Sequence, residues 1–235
     1  MAPSSSVLLP PGGQRILVIQ AHPDDAEFLC GGTIARLASE GCEIHYLLVT
    51  KGDKGTNDPD MTPARLSSIR AQEQERAAKA LGVQTVTFLA GYTDGEVEAT
   101  LGLRRDLILI VRQWRPDVVF TFDPWKHYDF HPDHRAVGMC TQDALVNAGG
   151  RWIFPEQLVN GVTAHSVKHI YYFSTDQPNY WVDISNVIDK KIAAMRCHES
   201  QMVNFDPDDY ARRKGRQAGT EHKYKFAEAF HHDVI

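Results

Sequence analysis

Three side chains that bind metals or move protons lie within four positions of one another, in the segment AHPDDAEFLCGG. His22, Asp24 and Asp25 follow directly on a short apolar run. Two adjacent carboxylates repel, and burying either one is costly unless a cation or hydrogen bonds compensate. Imidazole with one carboxylate is a normal part of a zinc site, and a carboxylate that cannot easily reach the same ion is free to act on water there. The structural alternative is an aspartate pair that begins a helix, where the helix dipole favours acidic residues.

A second group of such side chains lies further along the chain, in DPWKHYDFHPDHRAV. His131 and His134 are three positions apart at the start of a predicted helix, where both rings can face one crevice. A third ligand from this segment would complete the three-ligand set of a catalytic zinc site, which keeps one position open for water. The structural alternative is a surface HPDH in which Asp133 is an acidic residue of the first helical turn. The two segments together favour a metal site.

The elements that would position these groups alternate between strand and helix. Strands are predicted at residues 15–21, 43–50, 85–89, 117–122, 169–174 and 180–182, and helices at 33–40, 63–81, 101–113, 133–147 and 186–198. Such alternation predicts an α/β fold with a mostly parallel sheet that carries helices on both faces. Because sites of open parallel sheets form beyond the carboxyl ends of the strands, residues 22–25 and 123–134 should meet at one edge.

Composition excludes several classes of protein. With 25 Lys and Arg against 30 Asp and Glu, the 235-residue chain has a formal charge of -5, which argues against nucleic acid as its main partner. No apolar run approaches the roughly 18 residues of a membrane span, so we expect a cytoplasmic protein without a membrane partner. The four cysteines form no CxxC pair, which favours free thiols over a disulfide framework or a thiolate zinc site.

The motifs together resemble a known family. AHPDD and HPDH, with GGTIARL, RAQE at 70–73, LG at 81–82 and HESQ at 198–201, are similar to the LmbE-like or PIG-L-type zinc-dependent de-N-acetylases. That family hydrolyses the acetamide of N-acetylglucosamine-containing molecules, and the resemblance extends to about residue 205. It implies a Rossmann-like single domain, one zinc ion per chain and an N-acetylated amino-sugar substrate. A homo-oligomer, trimer or hexamer, is also implied, since some members assemble in this way.

Matched position by position, the resemblance assigns roles to the residues of both segments. It implies zinc ligation by His22, Asp25 and His134. It makes Asp24 the general base, and gives His131 the role of stabilising the oxyanion or protonating the leaving amine. These roles fit amide hydrolysis, which needs an activated water, a contact for the carbonyl oxygen and a proton for the departing nitrogen.

Supporting residues are less closely determined. In the family an arginine of the third helical region reaches toward the substrate, which here is Arg70, with Arg65 as an alternative. Asp133 or Asp129 is expected to hold His131 in its charged state, and the sequence does not choose between them. Three further aromatic residues lie on loops where they would serve either as a sugar-stacking platform or as core: Trp125, Tyr128 and Trp152.

The predicted organisation is one catalytic domain at 15–205, after a flexible N-terminus at 1–14. Residues 206–235 are expected to form a tail that packs on the domain or on a neighbouring subunit. The predicted activity is removal of the N-acetyl group from an N-acetylglucosamine-type sugar or glycoconjugate. Two alternatives stay open: a zinc amidase acting on a non-sugar acyl amine, and a non-catalytic metal- or sugar-binding module. A dinucleotide-binding oxidoreductase is disfavoured because no GxGxxG follows the first strand.

Overall fold

The computed structural model describes residues 13–235, so the prediction for residues 1–12 lies outside the described chain. Its strands are β1 Arg15–Gln20, β2 Glu43–Leu48, β3 Thr85–Phe88, β4 Val118–Phe122, β5 His169–Phe173, β6 Tyr180–Asp183 and β7 Ala227–Val234. Its helices are α1 Asp25–Leu29, α2 Gly31–Ser39, α3 Pro63–Leu81, α4 Leu101–Trp114, α5 Pro132–Ala148, α6 Ile188–Met195 and α7 Pro207–Gly219.

One sheet runs through the domain in the strand order β3-β2-β1-β4-β5-β7-β6. The first five of these strands are parallel, and β7 is antiparallel to both of its neighbours. This confirms the predicted α/β class with a mostly parallel sheet. The chain leaves β1 toward β2 and β3 and then returns to place β4 on the other side of β1. Open α/β sheets bind ligands in the crevice at such a reversal. Both predicted site segments, 22–25 and 123–134, follow the strands that border this crevice.

Buried strands and capped helices account for most of the element boundaries. Ile16–Ile19 is fully buried in β1, because a central parallel strand is covered on both faces. Helix α3 begins as predicted, with the Thr62 hydroxyl accepting a hydrogen bond from the backbone of Arg65, and it ends at Gly82, whose φ is 89°. Helix α2 begins two residues earlier than predicted, at Gly31.

Tertiary contacts explain that early start of α2. A Cβ on Gly32 would lie 2.7 Å from the Ile184 side chain, so glycine allows the helix to pack closely there. The Glu228 carboxylate then accepts the backbone N–H groups of Gly32 and Thr33 at 2.9 and 2.7 Å. The same carboxylate pairs with buried Lys191 at 2.6 Å. A residue distant in sequence therefore caps this helix.

Residues 206–235 pack on their own domain. They form α7 and β7, and β7 lies inside the sheet between β5 and β6. Cys30, Cys42 and Cys140 are buried and Cys197 is half-buried, all as free thiols. No helix within residues 13–235 combines the length and the apolar character that crossing a membrane requires.

One histidine outside the predicted site is buried in the sheet. His45 of β2 is 6% exposed, its Nε2 lies 2.8 Å from the Thr87 hydroxyl, and its ring packs edge-on against Trp114. Burial and the nearby charge of Arg15 lower the pKa of His45 from 6.5 to about 4. The unfolded chain therefore binds more protons than the folded chain between pH 4 and pH 6.5, and stability is lost as the pH falls through this window.

We expect His45→Gln to make the protein less sensitive to acid. Between pH 7 and pH 5 the wild type should lose about 2 kcal/mol more unfolding free energy than the variant, because only the wild type must keep a neutral imidazole. Urea unfolding at the two pH values measures this difference. Thr87→Val, which keeps the imidazole, should retain the wild-type sensitivity. Equal losses in wild type and His45→Gln would contradict the prediction.

Candidate metal and catalytic centre

The turn after β1 folds around the carboxylate of Asp25. Its Oδ2 accepts the backbone N–H groups of Ala21 and His22 at 3.1 and 2.7 Å, and its Oδ1 lies 3.3 Å from Nε2 of His134. Asp25 is only 7% exposed. Although burial alone would raise it, the pKa of Asp25 is held far below its usual range by the charges and hydrogen bonds of His134 and His22. The site therefore holds Asp25 as a carboxylate.

The second predicted segment reaches the same point because α5 packs closely on the end of β4. A Cβ on Gly138 would lie 2.6 Å from the Phe122 carbonyl oxygen, so the glycine permits this approach. His134 then stacks on the Phe122 ring with centroids 4.0 Å apart, and His131 stacks on His134 at 4.4 Å. Both histidines of HPDH therefore face the crevice beyond β1 and β4.

The three predicted zinc ligands meet in this crevice. Nδ1 of His22 lies 3.6 Å from Oδ2 of Asp25, and Nε2 of His134 lies 3.3 Å from Oδ1. Zinc with ligands at 2.0–2.2 Å in a tetrahedron separates those ligand atoms by about 3.4 Å, so each of these two separations is compatible with the ion, although they involve different oxygens of Asp25. The ligand atoms that all lie within 4.8 Å of one another on this side of the crevice are ring nitrogens of His22, His131 and His134, so the spacing brings His131 rather than Asp25 into a set of three.

The other nitrogen of His22 contacts two further carboxylates. Nε2 lies 3.0 Å from Oδ2 of Asp133 and 3.1 Å from Oδ1 of Asp94. Burial opposes a charge on this ring, but hydrogen bonds with Asp133, Asp25 and Asp94 raise the pKa of His22 to about 12. A carboxylate on the second nitrogen of a ligand histidine fixes its tautomer and makes it a better donor. This arrangement would leave Nδ1 for a metal ion. Three carboxylates around one buried ring favour a positive charge there, on the ring or on a bound ion.

His22, Asp94 and Asp133 form a second set whose ligand atoms lie within 4.8 Å of one another. The Asp133 side chain is fully buried, and its oxygens accept the backbone N–H groups of Gly95 and Val97 at 2.7 and 3.2 Å. These carboxylate oxygens are already satisfied, and their burial leaves them out of contact with solvent. Asp94 and Asp133 are therefore better suited to support His22 than to bind a catalytic ion.

Neither carboxylate expected to orient His131 contacts its ring. Asp133 binds His22 instead, and Asp129 accepts only the backbone N–H of His131 at 3.2 Å. Nδ1 of His131 is buried without a hydrogen-bond partner among residues 13–235. Burial and the charges of His22 and His134 lower the pKa of His131 below its usual range. This geometry corrects the expectation of a carboxylate-supported cation and favours a neutral ring that donates an N–H.

Asp24 is held in a conformation that few non-glycine residues adopt. Its φ of 99° lies in the left-handed region, its N–H donates to Oε1 of Gln74 at 3.0 Å, and its carboxylate lies 3.2 Å from Nη2 of Arg70. Burial raises the pKa of Asp24 to about 6, although the charge of Arg70 opposes this. A carboxylate with a pKa near neutrality is suited to take and release a proton.

The structure places Arg70 differently from the predicted substrate contact. The side chain is 4% exposed, and its terminal nitrogens donate to the carbonyls of Gly52 and Pro23 at 3.1 and 2.6 Å as well as to Asp24. Gly52 has a φ of 64°, and a Cβ there would lie 2.3 Å from Nη1 of Arg70. With both terminal nitrogens bound by protein atoms, Arg70 positions Asp24 and the turn around it.

A buried chain of hydrogen bonds continues from Gln74. Its Nε2 donates to Oε1 of Glu27 at 3.1 Å, and Oε2 of Glu27 lies 3.2 Å from Nε2 of His198. Glu27 and His198 are fully buried. Burial alone would lower the pKa of His198, but the hydrogen bond with Glu27 raises this pKa above its usual value. Gln74, which directly follows RAQE, and His198 of HESQ therefore belong to one network that ends on the backbone of Asp24.

We expect Gln74→Met to lower kcat about tenfold, because the Asp24 N–H and Glu27 each lose a partner and the strained turn relaxes. Zinc content and KM should change little. Gln72→Met, an exposed change on the same helix, is the matched control. Acetate release and zinc content are the measurements. A variant that loses only thermal stability, with kcat unchanged, would make Gln74 structural and contradict the prediction.

The three aromatic residues predicted near the site are exposed: Trp125 by 62%, Tyr128 by 87% and Trp152 by 77%. They are not core. Nε1 of Trp125 donates to Oε1 of Gln142 at 3.3 Å, which holds that indole against α5. This placement keeps open the prediction that they bind sugar rings.

The fold and the site define an α/β protein with a His and Asp centre at the sheet reversal, as metal-dependent hydrolases have. Residues 17–145 match the family model for PIG-L, described as GlcNAc-PI de-N-acetylase. The chain belongs to this family, and the predicted resemblance is confirmed. It is therefore a deacetylase, a hydrolase, and zinc dependence is typical of its family.

Individual relatives agree with this assignment. The chain is 37% identical to a diacetylchitobiose deacetylase of Thermococcus kodakarensis over 80% of this chain and 70% of the relative. It is 28% identical to a probable N-acetyl-alpha-D-glucosaminyl L-malate deacetylase 2 of Bacillus anthracis, over 81% and 82% of the two chains. The inhibitor-bound N,N'-diacetylchitobiose deacetylase of Pyrococcus horikoshii superposes with a TM-score of 0.87 and 32% identity, covering 94% of this chain and 84% of that one.

Sequence reasoning missed three residues of the centre: Glu27, Gln74 and Asp94. Asp94 lies on the loop after β3 and so comes from the same sheet edge as the two motifs. Its position beyond a parallel strand was the available signal. The sequence signal for Glu27 and Gln74 was weaker: each lies on a helix next to a recognised motif.

Proposed function

We propose that this chain is a zinc-dependent deacetylase that removes the acetyl group from an N-acetylglucosamine-type sugar or glycoconjugate. The observation that carries the proposal is the approach of both His22 and His134 to the Asp25 carboxylate, next to Asp24, whose backbone is held in the left-handed region. The relatives named above act on N-acetylated sugars by their descriptions, which supports the substrate class.

Metal binding, proton transfer and stabilisation of the oxyanion are carried out by different residues. Zinc, when bound by His22, Asp25 and His134, supplies Lewis acidity that makes water more acidic and polarises the acetamide carbonyl. Asp24, held by Arg70 and Gln74, takes the proton from the attacking water and then gives it to the departing nitrogen as the C–N bond breaks. The neutral ring of His131 donates an N–H to the oxygen that gains negative charge. A positioned donor of this kind contributes about 3 kcal/mol to such a step.

Acetate release from a panel of acetamides tests the proposal. Purified protein with one zinc per chain should release acetate from N-acetylglucosamine and diacetylchitobiose, and a chelator should stop the reaction. A preference for non-sugar acetamides would favour the amidase alternative. Zinc-loaded protein that binds sugars but releases no acetate would favour a binding module. Sedimentation of the same preparation would test the predicted trimer or hexamer.

A further inference from the structure

Helices α1 and α2 follow each other directly but are separated by a break at Cys30. In a continuous helix the N–H of Gly32 would donate to the carbonyl of Phe28, four positions earlier. Here the N–H of Gly32 donates to the carboxylate of Glu228 at 2.9 Å. The carbonyl of Phe28 accepts a hydrogen bond from Nζ of Lys191 at 2.8 Å. Two charged side chains therefore take the place of one backbone hydrogen bond.

These two side chains form a buried ion pair, which we call the junction pair. Nζ of Lys191 lies 2.6 Å from Oε1 of Glu228, and the two residues are 5% and 6% exposed. Oε2 of Glu228 also accepts the N–H of Thr33 at 2.7 Å. The cation lies at the last turn of α1 and the anion at the first turn of α2, which are the signs that unpaired carbonyls and N–H groups at helix ends favour.

The junction pair is linked to the catalytic turn through a single residue. While the carbonyl of Phe28 accepts from Lys191, the N–H of Phe28 donates to the carbonyl of Asp24 at 3.1 Å. Asp25 begins the same helix, which has only five residues. A helix of this length is not stable on its own in water, so contacts from other elements must fix its position.

Those contacts come from the C-terminal part of the chain. Lys191 lies on α6, which packs on both α1 and α2, and Glu228 lies on β7. For residues 206–235 the sequence predicted only packing. The structure instead brings a carboxylate of this segment to the helix junction next to the predicted base and zinc ligand.

We infer that Lys191 and Glu228 are positioning residues for the proposed deacetylation, on which this inference rests. The junction pair keeps α1 apart from α2, at the angle that directs Asp24 and Asp25 into the crevice. Without the pair, the Gly32 N–H and the Phe28 carbonyl are free to bond to each other, and α1 can join α2 in one helix. Both aspartates would then move relative to the histidines of the site.

Lys191→Met tests the role of the cation. Methionine is of similar length but has neither a charge nor a donor for the Phe28 carbonyl. The variant should lower kcat about tenfold and weaken zinc binding about tenfold, with little change in KM. Acetate release by zinc-loaded protein measures kcat and KM, and competition with a chelator measures the zinc Kd. Lys191→Arg should recover most of both, because Lys191 borders a cavity of about 550 Å³ that has room for a guanidinium.

A double variant separates positioning from stability. Lys191→Met leaves Glu228 as a buried charge without its partner, so this variant should also have a lower Tm. Adding Glu228→Gln removes that charge and should restore most of the Tm. A purely structural role predicts that kcat and the zinc Kd recover together with the Tm. The positioning role predicts that both stay impaired about tenfold, because the Phe28 carbonyl still lacks its donor.

Arg112→Met is the matched control. Arg112 is also a buried cation at the C-terminal end of a helix: it is 1% exposed, and its Nε donates to the carbonyl of Ala148 at the end of α5. His134 lies near the other end of α5, roughly 20 Å away. This variant should lower the Tm but keep the wild-type kcat and zinc Kd. Losses in Arg112→Met as large as those in Lys191→Met would overturn the positioning role.

Zinc binding separates this inference from the proposed function, because it does not depend on acetate release. Weaker zinc binding in Lys191→Met and in the double variant, in a protein that releases no acetate from any substrate, would support the positioning of Asp25 while overturning the proposed deacetylation. A double variant that releases acetate and binds zinc as the wild type does would overturn the positioning role alone.

Discussion

Replacing Asp24 with asparagine should lower kcat for acetate release by roughly 10²–10⁴-fold, the range in which a positioned general base contributes. Asparagine has nearly the same shape and tolerates the left-handed backbone observed at this position, where φ is 99°. It can still accept a hydrogen bond from Arg70, but it cannot take a proton from water. The change therefore removes the base and leaves its surroundings in place.

Two measurements make the Asp24→Asn result specific. Zinc content should stay at one ion per chain, because His22, Asp25 and His134 are untouched, and KM should change little. Asp60→Asn, in an exposed loop, is the control for loss of one carboxylate and should keep wild-type turnover. If Asp24→Asn turns over within about threefold of the wild type, another group must be the base.

The second large effect is expected from His134→Ala, which should abolish zinc binding and with it acetate release. Changes to residues that only support a ligand cost 10–100-fold in metal affinity, so loss of a direct ligand should cost on the order of 1000-fold or more. The His134 side chain is 20% exposed and lies at the mouth of the crevice, so its removal should leave the apo protein folded.

Thermal and chemical unfolding with and without zinc measure the effect of His134→Ala directly. At a free zinc concentration 100 times the Kd, the wild type should gain about 2.7 kcal/mol of stability, and the variant none. His127→Ala, on the loop before HPDH but paired with Asp176, should behave as the wild type does.

Asp94→Asn distinguishes the two sets of ligands that share His22. If the ion is bound by His22, Asp25 and His134, this variant should weaken zinc binding only 10–100-fold, as expected of a residue that supports a ligand. Tight zinc binding that survives His134→Ala but is lost in Asp94→Asn would move the ion to the set formed with Asp133.

Much of the fold followed from local patterns. Apolar runs bounded by glycine and proline predicted the parallel strands to within about two residues, and Thr62 with Gly82 predicted the ends of α3. The start of α2 was predicted too late because glycine disfavours helix interiors, a preference that the close packing of Gly32 on Ile184 overrides. Strand β7 was missed because AEAFHHDV lacks clear alternation, and its partners in β5 and β6 lie far away in sequence.

Within the site, the two motifs and the rule that parallel strand ends meet at one edge predicted which residues would converge. Residue type and spacing therefore predicted the candidate metal ligands and the candidate base, and they identified the family. They did not determine the supporting contacts. Arg70 was expected on the substrate, but its Nη2 donates to Pro23 and Asp24 and its Nη1 donates to Gly52.

What the sequence by itself determined is the set of chemical groups and the edge of the sheet on which they meet. Only the tertiary structure decided which carboxylate contacts which imidazole: Asp133 contacts His22, 111 positions away, and leaves the neighbouring ring of His131 without a carboxylate. It likewise buried Arg112, whose guanidinium donates to the carbonyls of Ala148, Gly150 and Ile153. The physical reason is that local patterns encode periodicity and caps, whereas hydrogen bonds between buried polar groups depend on how distant elements pack.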